Sequence, residues 1–168
     1  MCPEFGGRPI RLSKETNESA RPGWANSIEI GESVDSPGRT VTESLLSLLT
    51  TLTGYTHPLF TDATWGANRS SIGVTPLPGA VVLALLGGLA EQTGFFGNAN
   101  LVLVGFESVR FNRVVVAGDT LRVRITVVEK ELKSNGRTLL RMQWTGLNQK
   151  DETVAGLYAV FMVSNSSS

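Results

Sequence analysis

This 168-residue chain is short of thiols, imidazoles and net charge: it has one cysteine, one histidine and no surplus of either sign. A lone Cys2 cannot close a disulfide within the chain, so a cross-linked scaffold is excluded and a reducing cytoplasm is the expected compartment. One imidazole and one thiol cannot assemble a zinc centre, and neither metal nor cofactor is expected. The 15 basic and 15 acidic residues cancel. That balance leaves no cationic surface for nucleic acid or an anionic bilayer, and neither is expected as a partner. The longest apolar run, 80–86, falls far short of the ~20 residues that span a bilayer. The N-terminus lacks the charged-then-apolar order of a signal peptide. No G-x-S-x-G elbow, phosphate loop or dinucleotide fingerprint occurs, which argues against a serine hydrolase and a nucleotide enzyme.

What is present organises as one domain. Residues 1–23 are rich in Gly, Pro, Ser, Thr and charge without apolar period, and are expected to form a flexible leader. The domain proper is expected over 24–163, with a short tail at 164–168. A strand is expected at 27–32. Thr42 and Glu43 open a helix carrying Leu45, Leu46, Leu48, Leu49 and Leu52, and Gly54 ends it. Residues 55–77 show no period, and so long a loop in a small domain is usually functional. Pro78 and Gly79 precede a helix over 80–92, apolar on nearly all sides and therefore read as buried. Its paired Gly87 and Gly88 imply that something, such as a sheet, packs close there.

The remainder alternates with period two. Strands are expected at 101–116, 121–132, 137–146 and 154–163, with turns at 117–120, at Ser134-Asn135-Gly136 and at 149–152. Leu121, Val123, Ile125 and Val127 share one face of the second strand. A long apolar helix followed by a meander predicts an α+β domain in which a curved antiparallel sheet wraps the helix.

The most telling stretch is Gly54-Tyr55-Thr56-His57-Pro58-Leu59-Phe60. It resembles the signature loop of the MaoC-like (R)-specific enoyl-thioester hydratases and dehydratases, Gly-Asp-x-Asn/His-Pro-x-His. Ile30-Gly31-Glu32, the run Gly38-Arg39-Thr40-Val41-Thr42-Glu43 and Ala117-Gly118-Asp119-Thr120-Leu121 resemble further family fragments in the right order. The resemblance implies the hotdog fold, and an acyl thioester of coenzyme A or acyl carrier protein as ligand. It also implies a homodimer, or a heteromer with a catalytic paralogue.

In that family the Asp and last His of the loop activate water. Here Tyr55 and Phe60 stand in their places, so the usual acid–base pair is replaced. Tyr55 and His57 remain as catalytic candidates, with Asp62 read first as a loop residue. The resemblance makes the Gly79 N–H, behind Pro78, a donor to the thioester carbonyl. The alternative is that Pro-Gly merely opens a helix. Leu59, Phe60 and Trp65 are the expected apolar lining. Three functions fit: a hydratase/dehydratase with a rearranged site; a non-catalytic acyl-binding subunit; or a hotdog isomerase, cyclase or thioesterase.

Overall fold

The computed structural model describes residues 27–97, 99–134 and 136–164. The expected leader at 1–23, residues 165–168 of the expected tail and Asn135 of the Asn-Gly turn lie outside the described residues. In chain order the elements are β1 (Ser33–Asp35), β2 (Arg39–Thr40), α1 (Glu43–Leu52), α2 (Pro58–Thr61), α3 (Ala63–Arg69), α4 (Gly79–Gln92), β3 (Leu101–Phe111), β4 (Thr120–Leu132), β5 (Arg137–Leu147) and β6 (Thr153–Ser164). The strands form one antiparallel sheet in the order β1-β4-β5-β6-β3, and β2 also pairs with β4. The curved sheet packs on α4, which is the hotdog arrangement.

The core follows from strand alternation. Leu121, Val123, Ile125 and Val127 on β4 are all buried, and Leu140, Met142 and Trp144 on β5 continue the same face. Leu157, Ala159 and Phe161 on β6 complete it. Against this face α4 sets Val82, Leu86 and Leu89. The point of closest approach is Gly146 on β5. A Cβ there would stand 2.8 Å from Leu86 Cδ1 and 3.0 Å from Cδ2. Gly87 and Gly88, expected to mark this contact, have nothing within 4 Å of a would-be Cβ. The glycine that admits the helix therefore lies on the sheet. Nor is α4 buried all round, because Ala80, Ala84 and Gly88 form an exposed stripe.

Three further expectations change. The first strand begins at Ser33 instead of spanning 27–32, because Gly31 at φ +92° turns the chain and leaves Ile30 exposed. Ser164 belongs to β6 and not to the tail. The turn at 117–120 does not join neighbouring strands, since β3 and β4 lie far apart in the sheet order. After Phe111 the chain leaves the sheet. Val115 O accepts from Leu77 N at 2.7 Å, and Gly118 N donates to Val41 O at 2.8 Å. Residues 112–119 thus strap the start of α4 to the segment before α1.

The three-residue β1 is pinned to β4 by Asp35. Its carboxylate accepts from Arg124 Nε at 2.6 Å and from Arg122 at 3.0 Å. The Arg124 hydrogen bond holds the Asp35 carboxyl below the usual carboxylate range. Both partners stay partly solvated, so the bridge specifies register more than it stabilises. No helix among the described residues is long and apolar enough to cross a membrane.

Candidate functional site

The loop that carries the sequence signature is built by local capping. Gly54 takes φ +75° and ends α1, a conformation glycine adopts at no steric penalty. His57 is extended, and its Nδ1 accepts from Leu59 N at 3.1 Å, capping α2. Pro58 occupies the first turn, where a missing N–H does no harm. Accepting at Nδ1 places the neutral ring's proton on Nε2. Asp62 caps α3 in the same way, its Oδ1 accepting from Trp65 N at 2.9 Å. These side-chain caps convert the aperiodic 55–69 stretch into two short helices. Propensity alone would not hold helices of that length.

Folding the loop this way gathers four rings. Tyr55 meets Phe60 edge-on at 5.2 Å, and His57 meets Phe60 at 6.3 Å and Trp65 at 5.3 Å. Tyr55 is half-buried against the core, and Leu59 and Trp65 are half-buried as well. The structure therefore brings Tyr55, His57, Phe60 and Trp65 together. It places Asp62 at a helix start, with its carboxylate already engaged.

Pro78 and Gly79 form a separate group. Pro78 caps α4 without a side-chain hydrogen bond, and Val81 N and Val82 N both donate to Pro78 O. The N–H groups of Gly79 and Ala80 have no acceptor among the described residues, as the first turn of an uncapped helix requires. The ring above Gly79 is not from the loop. It is Phe111, whose ring atoms would stand 3.0 Å from a Cβ at position 79. Phe111 is half-exposed, so this cover can swing aside. Phe111 lies within the expected strand 101–116, flanked by Arg110 and Arg113, and no local pattern joins it to Gly79. The arginines themselves are occupied: Arg113 pairs with Glu152 at 3.0 Å, and Arg110 donates to Val109 O.

A cavity of 690 Å³ opens beneath the 55–77 segment, between it and α1. Of the expected site residues, Phe60 alone lines it. The remaining wall is Leu46, Thr50 and their neighbours on α1, Thr61 and Ala63, residues 73–75, and Val116 with Ala117. Glu43 is its one charged side chain. On the far side α3 seals the wall through Gly66, whose would-be Cβ lies 3.2 Å from Thr75 Oγ1 and from the Val74 backbone.

The chain matches a profile described as the MaoC like domain over residues 25–143. The chain belongs to the MaoC-like domain family. Among solved structures it resembles the monoamine oxidase regulatory protein from Archaeoglobus fulgius, with 27% identity over 84% of this chain and 94% of that one and a TM-score of 0.77. It shares its fold with the R-hydratase PhaJ1 of Pseudomonas aeruginosa, at 23% identity, 84% and 86% coverage and TM-score 0.68. It also shares it with a chain of the HadBC (3R-hydroxyacyl-ACP dehydratase) complex from Mycobacterium tuberculosis, at 19% identity, 79% and 96% coverage and TM-score 0.67. No curated protein matches.

Within the loop Phe60 presents a hydrocarbon ring to the cavity, and the Tyr55 ring packs against it.

Proposed function

We propose that this protein holds an acyl thioester, on coenzyme A or acyl carrier protein, at the open start of α4. It acts as a hydratase/dehydratase-type subunit that does little acid–base chemistry alone. The observation carrying this reading is the pair of free N–H groups at Gly79 and Ala80, with no side chain capping them. Such donors, aided by the helix dipole, suit the oxygen of a thioester as charge develops on it. Hydration further needs a base for water and an acid for the α-carbon. Phe60 is neither, and His57 Nδ1 and Asp62 Oδ1 are engaged in caps. A lyase acting through Tyr55 and His57 is the second reading. It is favoured by one fact, that both rings flank the Phe60 ring at the cavity wall.

The test is Gly79→Val. Its branched side chain stands between the ligand and the N–H groups, and the half-exposed Phe111 ring can yield to it. Affinity for butyryl-CoA, read by calorimetry, is expected to fall by about threefold to tenfold, the loss of one neutral hydrogen bond to the thioester carbonyl. Phe111→Ala, combined with Gly79→Val, should relieve the crowding without restoring affinity. Unchanged affinity with an unchanged melting curve removes the donor role.

A second subunit belongs to the same reading. The outer edge of β3 has no partner strand among the described residues, and Leu103, Val104 and Phe106 are exposed along it. Pairing that edge with another chain buries it. Sedimentation at micromolar concentration is expected to show a dimer, or a heterodimer when a relative with an intact loop is supplied. A monomer under both conditions defeats this arrangement.

A further inference from the structure

A bulge in β3 aims the Phe111 ring at the start of α4. Phe106 and Phe111 are five residues apart, so a regular strand would send their side chains to opposite faces of the sheet. They lie on the same face. Phe106 stands opposite Ala159 and Phe111 opposite Ala155, both buried on the helix side. One inserted residue accounts for this. Glu107 pairs with Tyr158 and Arg110 with Gly156, so three steps along β3 match two along β6. Within the bulge Ser108 takes φ +51°, a left-handed conformation that few non-glycine residues adopt. Bulges re-aim side chains, and this one turns Phe111 toward Gly79.

Three atoms at the far end of the ring fix how it lies. Cε2, Cζ and Cε1 stand 3.0, 3.0 and 3.3 Å from the position of a Cβ on Gly79. An edge-on ring would bring Cζ much nearer than its two neighbours. The near-equal distances mean that the ring covers Gly79 with its face. Little holds it there, because 50% of Phe111 remains accessible. A strained backbone that delivers a half-exposed ring to this place gains little core for its cost.

We propose that Phe111 is a specificity-determining residue of the thioester site, a flap whose face closes on the acyl carbonyl and favours an acyl group conjugated with that carbonyl over a saturated one. This deepens the thioester reading and rests on it. In this arrangement a carbonyl accepting from the Gly79 and Ala80 N–H groups lifts the ring from Gly79 and then lies beneath it. A 2-enoyl thioester is flat from sulfur to β-carbon, so the ring settles on it at about 3.5–4 Å, ordinary contact distance. The tetrahedral α- and β-carbons of a saturated chain hold the ring off and forfeit part of that contact. Closing an aromatic face on a π-system is expected to add a preference of roughly threefold to tenfold.

The experiment measures binding of crotonyl-pantetheine and butyryl-pantetheine to the full chain by calorimetry. The two differ by one double bond, and pantetheine is the portion that coenzyme A and acyl carrier protein share. Wild type is expected to bind the crotonyl form about threefold to tenfold more tightly. Phe111→Leu, similar in bulk but not flat, should erase that ratio, and Phe111→Tyr should keep it. Both variants should melt with wild type, since the ring adds little to the core. Removal of Ser108 restores plain alternation and should erase the ratio in protein that circular dichroism shows to be folded. Equal affinity of wild type for the two thioesters overturns the proposal and leaves the thioester reading standing. A ratio that survives Phe111→Leu or the removal of Ser108 overturns it too. If Phe111→Leu weakens both thioesters equally, or lowers the melting temperature, the ring serves packing and the specificity role fails. If neither thioester binds, both readings fall.

Discussion

The purified protein is expected to hydrate crotonyl-CoA at least about four orders of magnitude more slowly than relatives with an intact Asp/His loop. A positioned general acid or base contributes roughly 10²–10⁴-fold, and here two such groups are replaced. Phe60 faces the cavity, so the position remains but its imidazole does not. Tyr55 carries a phenol, which offers a hydrogen-bond donor where a carboxylate would only accept. The decisive variant is the double change Tyr55→Asp, Phe60→His. The two rings now touch at 5.2 Å, so a carboxylate and an imidazole at these positions would be close enough to work on one water. The variant should gain hydration activity at least a hundredfold over wild type, assayed spectrophotometrically at a temperature where circular dichroism shows it folded. Brisk turnover by wild type would instead transfer the chemistry to Tyr55 and His57. A folded double variant that stays inert would place the defect in the scaffold or in the Gly79 donor.

Gly146→Val is expected to be among the most damaging substitutions for stability. A Cβ at that position lies 2.8 Å from Leu86 Cδ1, and Leu86 is itself fully buried under the sheet. Overpacking of this kind costs roughly 1–3 kcal/mol, sometimes more. In a domain of this size that lowers the melting temperature by about 5–10 °C. The mechanism has its own control. Leu86→Ala alone leaves a cavity and costs about 2–5 kcal/mol. Combined with Gly146→Val, it opens room for the new side chain, so the double variant should be more stable than the sum of the two changes. Strict additivity in the melting data would show that Gly146 does not set the helix-to-sheet distance.

Much of the architecture was legible because the signals are local. Thr42 and Gly54 bracket α1 through one hydrogen bond and one positive φ. The period-two run at Leu121, Val123, Ile125 and Val127 is buried as its pattern requires. A long apolar helix followed by a meander pointed to the sheet-wrapped helix, and the resemblance in the 54–60 loop to the hotdog family. The short helices α2 and α3 were missed, since their stability comes from His57 and Asp62 caps instead of any apolar period. The strand at 27–32 was misplaced because a single left-handed Gly31 outweighed an alternating tetrapeptide.

By itself, then, the sequence determined the longer elements, the face of β4 that is buried, and the family. Propensity, capping and period act within about a turn of the chain, and the motif is contiguous. Only the tertiary structure decided the partners of each element. It sent β3 to the edge beyond β6, so that the turn at 117–120 closes on Val41 rather than on a neighbouring strand. It chose Gly146 over Gly87 and Gly88 for the close approach, and set Phe111 over Gly79. It also put Thr50 and Thr75 on the walls of one cavity. These contacts join residues some 25 to 80 positions apart. Their geometry depends on how the sheet curves around the helix, and no local pattern in the chain encodes that.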